Sequence, residues 1–140
     1  MGDDAVGLIA GRKLHSEFGA SADYTEVFTG GIDLLEIVSG YTNVLLLDAV
    51  MTGRAPVGTV HELSKRDFEN VTAPSPHAAG LPEVFQLAEQ LHLPMPEQFR
   101  ILAIEVGDVS EIREGLGNEI MDALDGYLQK ARSVLRGWIH

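Results

Sequence analysis

The chain has 140 residues, a hydrophobic content of 45%, and 21 acidic against 10 basic residues, for a formal charge of −11. This length suits a single domain over residues 1–140, and the charge excludes nucleic acid and anionic membrane surfaces as partners. The absence of cysteine excludes disulfides and thiolate metal sites, while the lack of a secretory signal or of an apolar stretch long enough to span a bilayer points to a cytoplasmic protein without membrane insertion.

Asp3 and Asp4 precede Ala5, Val6, Leu8, Ile9 and Leu14, whose spacing predicts a helix capped by an aspartate and stopped at Gly19. Asp23–Thr29 carries β-formers in partial alternation and reads as a strand. Gly30–Gly40 reads as a short helix bracketed by glycines. Asn43–Val50, NVLLLDAV, is a continuous apolar run of the kind buried on both faces of a parallel sheet. Gly58–Leu63 is a further strand, and Ser64–Gly80 a long polar connection. Pro82 opens a helix running to about Leu91. Phe99–Gly107 is a buried strand, and Gly117–Ile139 a final amphipathic helix. Strands alternating with helices predict an α/β fold with a mostly parallel sheet, whose ligands bind beyond the carboxyl ends of the strands.

Three polar residues fall at those strand ends. Asp48 follows four apolar residues, His77 lies between a proline-rich loop and a helix start, and Asp4 sits at the first helix. Each has an ordinary role open to it, as a cap, turn former or surface residue. Together, two carboxylates and one imidazole form an O,O,N set that suits nickel, zinc or manganese. Three protein ligands with open positions fit a reactive site better than a closed structural one. An acid–base pair of Asp4 and Asp48 is the alternative chemistry.

Five segments resemble, in order, the hydrogenase maturation proteases, which trim the large subunit of nickel–iron hydrogenases. GDDAVG (Gly2–Gly7) is similar to the second half of the family's G-N-x-L-x-x-D-D/E-x-x-G turn. TGGIDLL (Thr29–Leu35) resembles its G-T-x-G-x-x-L-L segment, and LLLDAVMTGRAPVGTV (Leu45–Val60) its buried strand and terminal Asp. SPHAAGL (Ser75–Leu81) resembles the segment bearing the family's histidine, and AIEVGDVSEIREGL (Ala103–Leu116) its late strand and loop. The family's first strand and the G-N-x-L half of its turn are missing from the sequence. The resemblance therefore implies a three-layer, phosphorylase/hydrolase-like α/β sandwich lacking that strand, with lower stability and a greater tendency to associate.

The resemblance also implies an endopeptidase that removes a C-terminal extension from the large-subunit precursor. Asp4, Asp48 and His77 would contact nickel supplied by that precursor, with no metal held tightly by the free protein. Asp4 and Asp48 would be the catalytic carboxylates, and Thr29, Gly30 and Gly31 would meet the substrate. A non-cleaving, nickel-sensing chaperone or docking module is the alternative. An unrelated anion binder at the glycine-flanked helix start is a third reading.

Other polar residues are assigned lesser roles. His15 and His61 read as surface residues, and His92 as a cation at a helix end. Glu105, after four apolar residues, either reaches the cleft or pairs with Arg100 or Arg113. Trp138 reads as a cover for the core.

Overall fold

The computed structural model describes residues 5–26, 36–50, 53–64, 81–106 and 118–139. Helix α1 spans Ala5–Phe18. Val6, Ala10 and Leu14 recur on one face and are all buried. The helix gives way at Gly19, whose φ of 53° is left-handed, to a single 3-10 turn. The strands are β1 (Asn43–Val50), β2 (Val60–Ser64) and β3 (Gln98–Glu105). Helix α2 (Leu81–Gln90) precedes β3, and α3 (Asn118–Trp138) ends the described chain.

The strand order is β1-β3-β2. β1 runs parallel to β3, with Asp48 beside Ala103 and Val50 beside Glu105. β2 returns antiparallel, with His61 beside Ala103 and Val60 beside Ile104. Among the described residues the sheet is thus mixed, with one parallel and one antiparallel pairing. The short β1–β2 connection reverses direction within one loop, whereas a parallel return needs a crossover of a dozen or more residues.

The sheet is packed on both faces. On one, α1 and α3 bury Val6, Ala10, Leu14, Leu124, Tyr127, Leu128 and Ala131 against Leu102 and Ile104. On the other, Phe99, Ile101 and Ala103 pack with Val38, Phe85 and Met95. This is the α/β layering expected from the sequence. The strand most deeply buried on both faces is β3, whose Leu102 and Ile104 meet α1 and α3 while Phe99, Ile101 and Ala103 meet the opposite layer. β1, expected to be buried throughout, is only half-buried from Asn43 to Leu47.

Residues 23–26, expected to begin a strand, carry no strand pairing among the described residues. Their side chains bind α1 instead. Tyr24 stacks on His15 at 5.0 Å, and Glu26 takes a forked bond from Arg12 at 2.8 and 3.0 Å. Between the two helices, Arg132 of α3 holds Glu17 of α1 through two bonds of 2.7 Å. That guanidinium keeps the Glu17 carboxyl below the usual carboxylate range. Trp138 donates to Gln98 Oε1 at 2.9 Å and ties the end of α3 to the start of β3.

Helix α2 closes with a Schellman pattern. The Leu93 N–H reaches the Ala88 carbonyl at 2.9 Å and the His92 N–H reaches Glu89 at 3.2 Å. His92 holds the left-handed position with φ of 57°, a conformation costly for any residue with a Cβ. His92→Gly therefore raises stability by about 1 kcal/mol, read as a higher denaturant midpoint. An unchanged midpoint would contradict this account of the turn.

Candidate functional site

Asp48 is the sixth of the eight residues of β1, near its carboxyl end. It is a carboxylate among leucines and valines and is only 7% exposed. Its Oδ1 accepts the N–H of Ala49 at 2.8 Å. Ala49 lies one residue out of phase with Val50, whose carbonyl faces β3 and accepts the Val106 N–H. The Ala49 N–H therefore points to the outer edge of β1, and Asp48 satisfies it there.

The backbone of Asp48 is held from the side of α1 and α3. A Cβ on Gly7 would lie 3.1 Å from the Leu47 carbonyl oxygen and 3.5 Å from the Asp48 Cα. A side chain at this position would push the strand backbone away by a few tenths of an ångström. From α3, the Tyr127 hydroxyl accepts the Asp48 N–H at 3.1 Å and donates to the Leu102 carbonyl at 2.7 Å. The Asp48 carbonyl lies farther from that oxygen, at 3.3 Å, and a hydroxyl has one proton to give. Tyr127 is fully buried. Burial pushes its phenol far above the ordinary value, the Asp48 charge adds to the shift, and the backbone bond opposes it. The hydroxyl therefore stays protonated.

A second polar pair lies nearby. Ala103 stands between Asp48 and His61 in one row across the sheet. Glu105, two residues further along β3, shares that face by alternation. Its carboxylate is 1% exposed, accepts the Gly53 N–H at 3.2 Å and lies 3.0 Å from His61 Nε2. The Glu105 backbone donates to the Thr59 carbonyl and accepts the Gly58 N–H. One residue thereby fastens both ends of the loop that leaves β1. Glu105 pairs with His61, while Arg100 reaches Glu62 at 3.0 Å, which corrects the expected pairing with Arg100; Arg113, the other expected partner, lies outside the described residues. His61, expected as a surface residue, is engaged with a buried carboxylate.

Of the residues expected at the site, Asp48 is described and occupies the strand position predicted for it. Asp4, His77, Thr29, Gly30 and Gly31 lie outside the described residues. Among the described residues, no group of three His, Asp or Glu side chains could hold a metal. The sequence reading missed Tyr127 as a partner of Asp48. Its signal was a hydroxyl on the buried stripe of a helix, where a tyrosine usually finds a hydrogen-bond partner.

Residues 12–134 match the family described as HycI, hydrogenase maturation protease. No curated protein sequence matches the chain. Among solved structures, the chain is similar to the hydrogenase maturating endopeptidase HybD from E. coli, with a TM-score of 0.72 and 21% identity over 98% of this chain and 86% of that one. It is also similar to the NiFe hydrogenase maturation protease HybD from Thermococcus kodakarensis, with a TM-score of 0.68 and 24% identity over 96% and 91% of the two chains. A hydrogenase 2 maturation peptidase from a Thaumarchaeota archaeon gives a TM-score of 0.63 and 21% identity over 96% and 90%. These likenesses show a common α/β fold.

Proposed function

The chain belongs to the hydrogenase maturation protease family, and from that premise we propose that it removes a C-terminal extension from a nickel–iron hydrogenase large-subunit precursor that already carries nickel. The observation that carries this reading is the family match, which runs from within α1 to within α3. The placement of Asp48 supports it, because a buried carboxylate at the carboxyl end of a strand is where an α/β sheet presents its ligands. No helix among the described residues is long and apolar enough to cross a membrane, and we place the reaction in the cytoplasm.

At the level of residues, Asp4, Asp48 and His77 are the set that contacts the precursor's nickel. Their O,O,N donors suit a borderline divalent ion. The nickel belongs to the substrate and marks a loaded precursor. It supplies Lewis-acid polarisation of a carbonyl brought beside it. The two carboxylates, as in an aspartyl-type endopeptidase, orient the water that attacks the scissile bond and take its proton. Asp48 brings to this task an oxygen already fixed by the Ala49 N–H. Thr29, Gly30 and Gly31 are the proposed contacts to the extension.

The test is incubation with two preparations of precursor, one loaded with nickel and one without it. The loaded precursor is cut once and the empty one is spared. Equal cutting of both would overturn the nickel requirement. Metal-dependent binding with no cut would make the chain a docking module.

A further inference from the structure

We propose that Tyr127 is a positioning residue for the Asp48 carboxylate, acting through the β1–β3 ladder. The inference rests on the reading of Asp48 as a functional carboxylate. The register that sets Asp48 beside Ala103 directs the Asp48 N–H toward the Leu102 carbonyl, by the same phase that sends Val106 N–H to Val50. At this step the Tyr127 hydroxyl bridges the two groups. It accepts the Asp48 N–H at 3.1 Å and donates to Leu102 at 2.7 Å. A third strand atom, the Asp48 carbonyl oxygen, lies 3.3 Å from the same hydroxyl.

The location selects one residue of the strand. The bridge falls on Asp48, the only charged residue in NVLLLDAV. It comes from a helix packed on the sheet, and the ring that carries it is fully buried with Leu124, Leu128 and Ala131. A buried phenylalanine would fill that space equally well. The hydroxyl adds a fixed hydrogen-bonded relay that sets the peptide plane on the N-terminal side of Asp48. The Ala49 N–H then fixes Oδ1 from the other side. The carboxylate is thus located by bonds on both flanking peptides, with Tyr127 supplying the one that no local sequence can supply. Outer bonds of this kind set the orientation of a ligating or catalytic carboxylate before substrate arrives.

The experiment compares the parent chain, Tyr127→Phe and Asp48→Asn on nickel-loaded precursor, with kcat and KM measured separately and folding checked by thermal melts. Tyr127→Phe is expected to fold, to keep KM for the precursor, and to lose about 10–100-fold in kcat. A purely structural hydroxyl would lower the melting temperature and leave kcat of the folded protein alone. Wild-type kcat in folded Tyr127→Phe beside an inactive Asp48→Asn would overturn the proposal and leave the reading of Asp48 intact. Full activity in Asp48→Asn would overturn that reading and the proposal with it. Should Tyr127→Phe not fold, 3,5-difluorotyrosine at position 127 keeps the ring and hydroxyl but makes the oxygen a poorer acceptor. A changed kcat then supports the relay, and an unchanged one refutes it.

Discussion

Asp48→Asn abolishes cleavage of the nickel-loaded precursor and leaves the fold in place. Asparagine has nearly the same shape, and its Oδ1 can accept the Ala49 N–H that Asp48 accepts at 2.8 Å. The backbone bond to Tyr127 does not involve the side chain and survives. The stability change is therefore about 1 kcal/mol or less. What disappears is the negative charge, and with it the capacity to take a proton or to act as an anionic ligand. On the proposed reading of Asp48, loss of a positioned general base costs about 10²–10⁴-fold in rate, and loss of the proposed anionic contact to nickel adds to that. Initial rates and thermal melts on the same preparation separate the two effects. A variant that melts normally and cuts normally would remove Asp48 from the mechanism.

The largest loss of stability is expected at His61. Glu105 is almost wholly inaccessible, and His61 Nε2 lies 3.0 Å from its carboxylate. His61→Leu withdraws that partner and leaves Glu105 held by the Gly53 N–H and its remaining contacts. Withdrawing one hydrogen-bond partner from a buried polar group costs about 1–3 kcal/mol. His61 is 30% exposed, so water screens part of the interaction and the lower end of that range applies. The melting temperature falls by about 5 °C. Glu105→Gln costs less, because a neutral amide still accepts from Gly53 and needs no counter-charge. Equal melting temperatures for His61→Leu and the parent would show that the pair contributes nothing.

The legible part of the fold was the part written in periodicity. Val6, Ala10 and Leu14 announce α1, and Leu124, Tyr127, Leu128 and Ala131 announce α3, because a 3.6-residue period must bury one face. β1 and β3 were legible as apolar runs. The direction of β2 was not, since alternation over five residues reads the same either way along a sheet. Residues 23–26 carry strand formers, yet Tyr24 and Glu26 are held by side-chain contacts to α1, which no local propensity encodes.

The same division holds at the candidate site. Asp48 stood out because charge interrupts an apolar run, and the structure buries it at that position in the strand. Glu105 stood out for the same reason, but of its expected partners Arg100 turns to Glu62. Arg100 is five residues away along β3, and a two-residue period places it on the opposite face. His61 comes from a different strand, and only the register across Ala103 brings it within reach. Tyr127 is 79 residues from Asp48 along the chain, so a hydroxyl on the buried stripe signals that a partner exists without saying which.

The central claim is that this chain cuts one bond near the C-terminus of a nickel-loaded large-subunit precursor. The measurement that tests it most directly is the intact mass of that precursor over time, with and without the chain. The account predicts loss of a single C-terminal peptide, leaving one product of fixed mass. An unchanged mass with a folded, active-site-intact chain, or a ladder of fragments from many cuts, would contradict it.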